Sequence, residues 1–405
     1  MITKKIIPLT LVALSVAGST SAQLSQAQLN GQDTTKIINP ITTAMPFLLI
    51  SPDARAGGIG DAGAATLNDV NALHWNLSKL VFNEKKTGVA LSYTPWLRSL
   101  VNDVNLAYVT GYSQINKRQA VAASLRYFSL GKIDFTDING NLIREAKPNE
   151  FALDIGLAQK LSDNFSLGIT LRYANSNLGQ GVTLTGGATT KAAQAGAADI
   201  SATYLKDKVK LGDKTAKLAI AGVISNMGNK VKYTDVSLRG DFIPVNLRIG
   251  GNLLVDLDKF NTLGFVLDIN KLMVPTQPLY DANKNIIKGK NPDKGVIAGM
   301  LSSFNDAPTG GKEELREIIF CGGMEYWYDK LFAFRVGGFY ENPTKGNRKY
   351  ITVGAGLRYN VFGLDLSYLA TGQQNPLKNT VRFTLSFDFA ALKPTNSNDG
   401  GATNE

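Results

Sequence analysis

From Thr87 to Phe389 the chain repeats one pattern, in which about ten residues alternate between apolar and polar before a turn follows. The last segment is the clearest case. Its apolar positions are Val381, Phe383, Leu385, Phe387 and Phe389, and the residues between them are polar or charged. This alternation predicts β-strands with one apolar face and one polar face.

The alternating segments predict about fourteen strands. They span 87–95, 102–114, 119–131, 150–161, 165–178, 196–206, 216–228, 245–258, 261–273, 314–328, 331–342, 349–360, 362–371 and 381–389. In a closed sheet an even strand number returns the chain to the side on which it entered.

The predicted connections alternate in length. Ser162-Asp163-Asn164, Asp258-Lys259-Phe260 and Asp329-Lys330 are tight turns, whereas 132–149, 179–195, 229–244 and 274–313 are long. Short periplasmic turns and long outer loops are typical of an outer-membrane barrel. Strand alternation alone also fits a soluble β-sandwich, but a sandwich has no reason to sort its loops in this way. We therefore predict an all-β, transmembrane antiparallel barrel over 87–389.

Charged residues lie on the polar face of several predicted strands. Asp154, Arg172, Arg358 and Asp388 are therefore expected to face the lumen. Leu-Arg-Tyr recurs at 125–127, 171–173 and 357–359, each time near a strand end. We expect these arginines to turn inward and these tyrosines to join an aromatic girdle at the membrane interface.

The segment from Leu48 to Phe82 combines a glycine-rich turn with helical spacing of its apolar residues. Asn68 or Asp69 is expected to cap a short helix. The helix would present Val70, Leu73, Leu77 and Leu80 on one face. We predict that 47–86 forms a short plug inside the lumen; the alternative is an ordinary N-terminal helix of a soluble domain.

The two ends of the chain lack the alternating pattern of the barrel. Residues 1–22 have a short basic start, an apolar run and small residues before Gln23, which predicts an export signal peptide. The apolar run is too short for a transmembrane anchor. Residues 23–46 are polar and predict a flexible lead on the periplasmic side, and 390–405 predict a periplasmic tail.

Composition narrows the possible chemistry. Lys and Arg outnumber Asp and Glu by 43 to 33, but no nucleic-acid recognition motif accompanies this excess. The better interpretation is that basic loops meet anionic lipid head groups or acidic proteins. The single cysteine, Cys321, excludes an internal disulfide framework. His74 is the only histidine, so any histidine-dependent catalysis or metal binding would depend on it. We predict no catalytic, metal or cofactor site.

The plug carries a motif in two parts. Its residues are Pro52, Asp53, Arg55, Gly57, Gly58, Gly60 and Asp61, followed by His74, Trp75 and Asn76. The motif resembles the start of the PorV (LptO) family of outer-membrane barrels in the type IX secretion system of Bacteroidetes, within the wider FadL-like group. One departure is Leu77-Ser78, where the family pattern has Pro-Ala, so the local geometry of the plug is expected to differ.

The resemblance implies a non-enzymatic carrier. Such proteins bind the C-terminal signal domain of secreted cargo as it leaves the translocon barrel. They pass the cargo to a sortase-like surface complex that attaches it to lipopolysaccharide. On this hypothesis cargo engages the outer loops 274–312, 229–244 and 132–149.

Two other functions remain open from the residues. A FadL-like channel for hydrophobic small molecules would need an apolar pocket in the lumen and a lateral opening near the plug. An enzyme acting on lipopolysaccharide, in its histidine-dependent form, would need His74.

Overall fold

The structure is a computed structural model, and it describes residues 38–98, 101, 103–136, 139–179, 181–183, 187–237, 239–372 and 375–389. The predicted signal peptide (1–22), the lead as far as residue 37 and the predicted tail (390–405) lie outside these ranges.

Fourteen antiparallel strands close into a single barrel, as the alternation predicts. They are β1 Thr87–Pro95, β2 Asn105–Asn116, β3 Gln119–Ser129, β6 Asn149–Lys160, β7 Phe165–Asn177, β8 Ala193–Leu211, β9 Lys214–Gly228, β10 Asn246–Asp256, β11 Asn261–Leu272, β14 Ile318–Tyr328, β15 Phe332–Tyr340, β16 Lys349–Tyr359, β17 Phe362–Ala370 and β18 Thr380–Phe389. Closure comes from β1 pairing with β18, with Thr87 opposite Phe389. The predicted fold class is therefore confirmed.

Two predicted strands differ from the observed ones by more than three residues at one end, and the others lie within three residues of the observed bounds. The prediction 196–206 is too short, because β8 and β9 continue as a hairpin to Leu211 and Lys214. The prediction 314–328 begins too early, because Gly311–Arg316 forms a helix before β14 starts at Ile318.

The outer face of the barrel is an apolar belt. In β17, Leu364, Leu366 and Tyr368 are exposed, while Asp365 and Ser367 between them are buried. The same alternation runs through most of the other strands. An exposed apolar belt of this kind is stable only when it faces lipid. In the part of the chain that is described, no helix has the length and apolar character to cross a membrane.

Connections sort by length between the two ends of the barrel. One end has tight turns such as 117–118, 212–213 and 360–361, and the chain enters β1 and leaves β18 there. The other end has the long loops. These contain the hairpins β4 Ile133–Thr136 with β5 Leu142–Ala146 and β12 Leu279–Tyr280 with β13 Ile286–Lys288, and the helices α3 Val296–Ser302 and α4 Gly311–Arg316. In outer-membrane barrels, long loops of this kind face outward.

The plug contains only short helices. They are a 3-10 turn Pro46–Leu49, α1 Ala54–Gly57, α2 Ala72–Trp75 and a second 3-10 helix Leu77–Phe82. The predicted helix capped by Asn68 or Asp69 is wrong. Asn71 precedes α2, and Asn76 interrupts the helical path in an extended conformation at φ −170°. The apolar residues of this segment pack on barrel alanines instead of forming one helical face.

The described part of the lead lies at the long-loop end, contrary to the predicted periplasmic side. The amide of Asn39 donates to the carbonyl of Thr344 at 2.9 Å, and the amide of Ala44 donates to that of Phe242 at 2.8 Å. Thr344 and Phe242 both belong to long loops. The chain from 38 to 86 therefore runs through the lumen from the long-loop end to the tight-turn end, a path that residue patterning does not reveal.

The plug touches the barrel wall backbone to backbone at Gly60. Gly60 adopts a left-handed conformation at φ +73°, and a β-carbon added there would lie 2.3 Å from the carbonyl oxygen of Gly338. A β-carbon at Gly337 would lie 2.2 Å from the amide nitrogen of Gly60. Glycine is therefore required on both sides of this contact.

We predict that Gly337→Ala destabilises the protein and that Gly338→Ala does not. The first change forces a methyl group into the plug contact, at a cost of about 1–3 kcal/mol. At Gly338, the nearest atom to an added β-carbon is 3.9 Å away. Thermal unfolding in detergent measures both variants. Equal midpoints would contradict the contact.

Candidate functional site

A chain of buried charges anchors the plug to the wall. Arg55 of α1 makes two hydrogen bonds to Glu325 of β14, at 2.9 Å and 2.8 Å. Glu325 also accepts from Arg335 at 2.8 Å, and Arg335 donates to Asp365 at 2.8 Å. Arg358, which sequence analysis assigned to the lumen, joins this chain through Asp365 at 2.6 Å. Paired arginine and carboxylate groups of this kind give strong, directional bonds.

Asp61 forms a second anchor on the neighbouring wall. Its carboxylate accepts a hydrogen bond from Arg382 of β18 at 3.0 Å and another from the hydroxyl of Tyr350 in β16. The Arg382 side chain passes close to Gly57, where a β-carbon would lie 2.5 Å from a guanidinium nitrogen. Gly58 similarly approaches Gly354, since a β-carbon there would be 3.2 Å from its α-carbon.

Asp53 and Trp75 connect the two parts of the plug motif. Asp53 caps α1 by accepting from the amide of Ala56 at 2.9 Å, and it accepts from the Trp75 indole at 2.6 Å. Burial, reinforced by the nearby Asp69 carboxylate, raises the pKa of Asp53 to about 6. Pro52 beside it is also buried. The two halves of the motif are thus one folded unit.

Asn76 holds the plug to the opposite wall. Its amide donates to the carbonyl of Ala64 and to the hydroxyl of Thr203 in β8, each at 2.8 Å. Leu77 takes the first position of the 3-10 helix, where proline would also fit. The Leu77 side chain fits against Gly156 of β6, where a β-carbon would lie 2.5 Å from it. Position 77 is therefore one at which a helix can begin with leucine, as here, or with proline.

His74 lies against Arg126 of β3. Arginine can only donate, so the His74 Nδ1 accepts and the ring proton sits on Nε2. Burial, and the positive charges of Arg126, Arg248 and Arg172, hold the pKa of His74 well below its usual range. His74 is therefore a neutral acceptor between plug and wall.

The remaining lumen charges predicted from the sequence have different surroundings. Asp154 and Arg172 are both buried and paired at 2.6 Å, and Arg172 also reaches Asp199 at 3.1 Å. Asp388 is half-buried near the tight-turn end. Several more lumen charges were not predicted from the sequence, among them Glu325, Arg335, Asp365 and Asp199. Each is a charge on the polar face of a strand, and that signal could have found them.

The long loop 273–317 is folded rather than loose. Glu317 accepts from Lys271, from Lys345 at 2.9 Å and from the Thr276 hydroxyl at 2.6 Å. Glu313 on α4 accepts from Lys345 at 2.6 Å. These carboxylates connect the loop to the barrel and to the neighbouring loop 341–348.

The same loop is tied to the lead and to another loop. Glu313 accepts from the side-chain amide of Asn39 at 3.1 Å. Met300 of α3 packs with Phe242 of the loop 229–245, and a β-carbon at Gly299 would lie 2.6 Å from that ring. The packing holds α3 in place over the barrel.

The outward faces of the loop carry several apolar and basic side chains. Ile297 and Leu301 of α3, Phe304, and Leu315 of α4 are all exposed, with Leu301 and Leu315 each 69% exposed. We call these four residues the loop surface. Four lysines of the same loop are also exposed: Lys284, Lys288, Lys290 and Lys312. Exposed apolar groups on a rigid, solvated loop are typical of a protein-binding surface.

Among the described residues, no group of three or more His, Cys, Asp or Glu side chains is arranged to hold a metal ion. Cys321 is buried and accepts from the Asn270 amide at 3.4 Å. The contacts of the site hold the plug in the lumen, and those of the long loop keep its outer surface rigid.

We predict that Glu325→Gln loosens the plug. The change leaves Arg55 and Arg335 buried without their shared carboxylate, which costs about 3 kcal/mol or more. Planar-bilayer conductance should rise from a closed baseline, and the plug should become easier to cleave with protease. Glu145→Gln, in the exposed pair with Lys132, is the control and should change neither quantity. A closed, protease-resistant Glu325→Gln protein would contradict the anchoring role.

We predict that His74 stays neutral as the pH falls from about 7.5 through about 6.5, the usual histidine pKa, because burial and the nearby arginines hold its folded-state pKa well below that value. The unfolded chain binds a proton in that range and the folded chain does not. Stability therefore falls below about pH 6.5, by up to about 1.4 kcal/mol per pH unit. NMR of histidine-labelled protein observes one ring and should show no titration, and His74→Gln should remove this part of the pH dependence. A midpoint near pH 6.5 would refute the buried neutral ring.

Comparison with known proteins gives one family and a set of distant structures. The family described as type IX secretion system protein PorV matches residues 32–279. Comparison with curated protein sequences gives no match.

The solved structures are similar only at low identity. A Pseudomonas aeruginosa FadL homologue is 13% identical, covers 87% of this chain and 99% of its own, and has a TM-score of 0.43. The Ralstonia pickettii toluene transporter TbuX is 12% identical, with 84% and 98% coverage and a TM-score of 0.46. The P. putida toluene transporter TodX is 11% identical, with 84% and 99% coverage and a TM-score of 0.46.

Because the sequence identities are this low, the barrel is established by the strand pairing and not by these similarities. The family match covers more than half of the chain, including the plug and its motif. The chain belongs to the PorV family of type IX secretion system proteins.

Proposed function

We propose that this barrel binds the C-terminal signal domain of exported cargo and carries it from the translocon barrel to a surface attachment complex that uses lipopolysaccharide. Membership of the PorV family supports a role in type IX secretion. The observation that carries the cargo-binding step is the loop surface, which is apolar, exposed and held rigid by buried carboxylates. A preorganised surface loses little conformational entropy on binding.

The anchored plug supports a carrier more than a channel. Arg55, Asp61 and Asn76 each attach the plug to a different strand. The alternative, a FadL-like channel for hydrophobic small molecules, would need those bonds to break. It would also pass solutes along a lumen with paired charges such as Asp154 and Arg172.

The same contacts support a role without catalysis. The sole histidine accepts from an arginine, so a histidine-dependent hydrolase would have to release His74 from Arg126 before it could act as a base.

The proposal is tested first by affinity purification from the outer membrane with this protein as bait, followed by mass spectrometry. Recovery of a large translocon barrel, or of exported proteins that retain their C-terminal domains, supports the carrier function. Recovery of fatty acids or other small hydrophobic molecules without any protein partner would overturn it in favour of the channel.

We predict that the double variant Ile297→Asp with Leu301→Asp weakens binding of a purified cargo signal domain by roughly tenfold or more, because it removes two apolar anchors from α3. Titration calorimetry or biolayer interferometry in detergent measures the affinity. Leu211→Asp, an exposed leucine at the tight-turn end, is the control and should bind like the wild type. Unchanged binding by the α3 variant, or an equal loss in both, would exclude the loop surface.

A further inference from the structure

At one point of the barrel wall, four neighbouring residues on two paired strands are glycines. Gly322 pairs with Gly338, and Gly323 pairs with Gly337, across β14 and β15. Cys321 beside Gly322 is buried and faces the lumen, so strand alternation turns the first pair outward and the second pair inward. At this point the wall consists of backbone atoms alone, because neither face carries a side chain.

The two faces of this point are filled differently. On the lumen side, Ile59 and Gly60 of the plug press against Gly337. Ile59 also packs among Val266, Ile319 and Cys321. On the outer side, the nearest atom to an added β-carbon at Gly338 is the Tyr350 carbonyl oxygen, 3.9 Å away. The inner face is therefore closed by the plug and the outer face remains open.

A groove of about 700 Å³ occupies the open outer face. Exposed apolar and aromatic side chains surround the glycine floor: Leu267, Phe320, Tyr340 and Ile351. The groove continues past Ala370 towards Gly372, at the long-loop end. Its volume is within the range of about 300–1,000 Å³ that ligand sites span. Because it opens in the apolar belt, the molecules that reach it are those of the surrounding membrane.

A cation stands at the mouth of the groove. Lys349 begins β16 at the long-loop end, is exposed, and lines the groove. Its ammonium group lies 5.0 Å from the centre of the Tyr340 ring. Within the described ranges, no carboxylate lies at ion-pair distance from it, whereas the neighbouring Arg348 is already paired with Glu341. Lys349 can therefore meet an anionic group from the membrane surface.

We propose that this groove binds an anionic lipid of the outer leaflet, with one acyl chain lying over Gly322 and Gly338 and its phosphate, which carries the net negative charge, beside Lys349. The chain fills the notch that the glycines leave in an otherwise continuous apolar belt. The head group then lies at the height of the long loops, where Lys349 neutralises its charge. The site is separate from the loop surface and does not depend on the carrier function.

Native mass spectrometry of the full barrel in detergent tests the site, with phosphatidic acid as the anionic probe and phosphatidylcholine as its zwitterionic counterpart of equal chain length. The wild-type protein should bind phosphatidic acid at least threefold more tightly. Gly338→Leu, which fills the groove where there is room for a side chain, should weaken both lipids at least fivefold. Lys349→Gln should weaken phosphatidic acid alone, at least threefold.

Gly222→Leu is the matched control. Gly222 lies on β9, and an added β-carbon there meets nothing within 4 Å. Its neighbours Ala221 and Val223 are buried in the lumen, so it also faces outward. It should bind both lipids like the wild type. Wild-type affinity in Gly338→Leu, or equal affinity for the two lipids in the wild type, would overturn the proposal. Lys349→Gln is an exposed change at a strand start, so it tests the head-group contact even if Gly338→Leu folds poorly.

Discussion

One buried carboxylate, that of Glu325, holds the plug and the barrel wall together. It accepts from Arg55 on the plug and from Arg335 on the wall, and both arginines are buried. Two buried guanidinium groups so close together would repel each other without it. Arg335 also donates to Asp365, which in turn accepts from Arg358. Charges from several strands therefore stabilise the plug. Such a network favours one plug position over all others.

Close backbone packing is the second constraint on the plug. The turn at Gly60 reaches the inner face of the wall only because Gly337 lacks a side chain, and Gly338 beside it lacks one on the outer face. The missing side chains of the glycines affect the two faces of the wall differently. On the inner face the plug packs against the backbone, and on the outer face a groove is left open. The seat of the plug and the lipid-facing notch therefore have a common origin in four glycines of two paired strands.

The long-loop end combines rigidity with exposed apolar surface. Glu313 and Glu317 accept hydrogen bonds from lysines of the barrel and of a neighbouring loop. Most of the negative charge of the loop is therefore neutralised by buried ion pairs. Burial also raises the pKa of Asp306, in the same loop, to about 6. Apart from Asp293, which pairs with Lys230 and Arg239, the fully exposed charges of the loop are basic. This division between internal acids and external lysines makes the loop a folded platform with an exposed apolar and basic surface.

The sequence by itself determined the strands, their two faces and the sorting of the loops, because strand alternation has a period of two residues and tight turns are local. The inward arginine and outward tyrosine of 125–127 and 171–173 follow from the same rule, with Arg126 and Arg172 buried and Tyr127 and Tyr173 exposed. Only the tertiary structure decided which charges meet. Arg55 and Glu325 are 270 residues apart, so their contact depends on strand register and plug position together. The short helices of the plug were mispredicted for the same reason: the surrounding wall, and not local spacing, sets the path of a segment buried on every side.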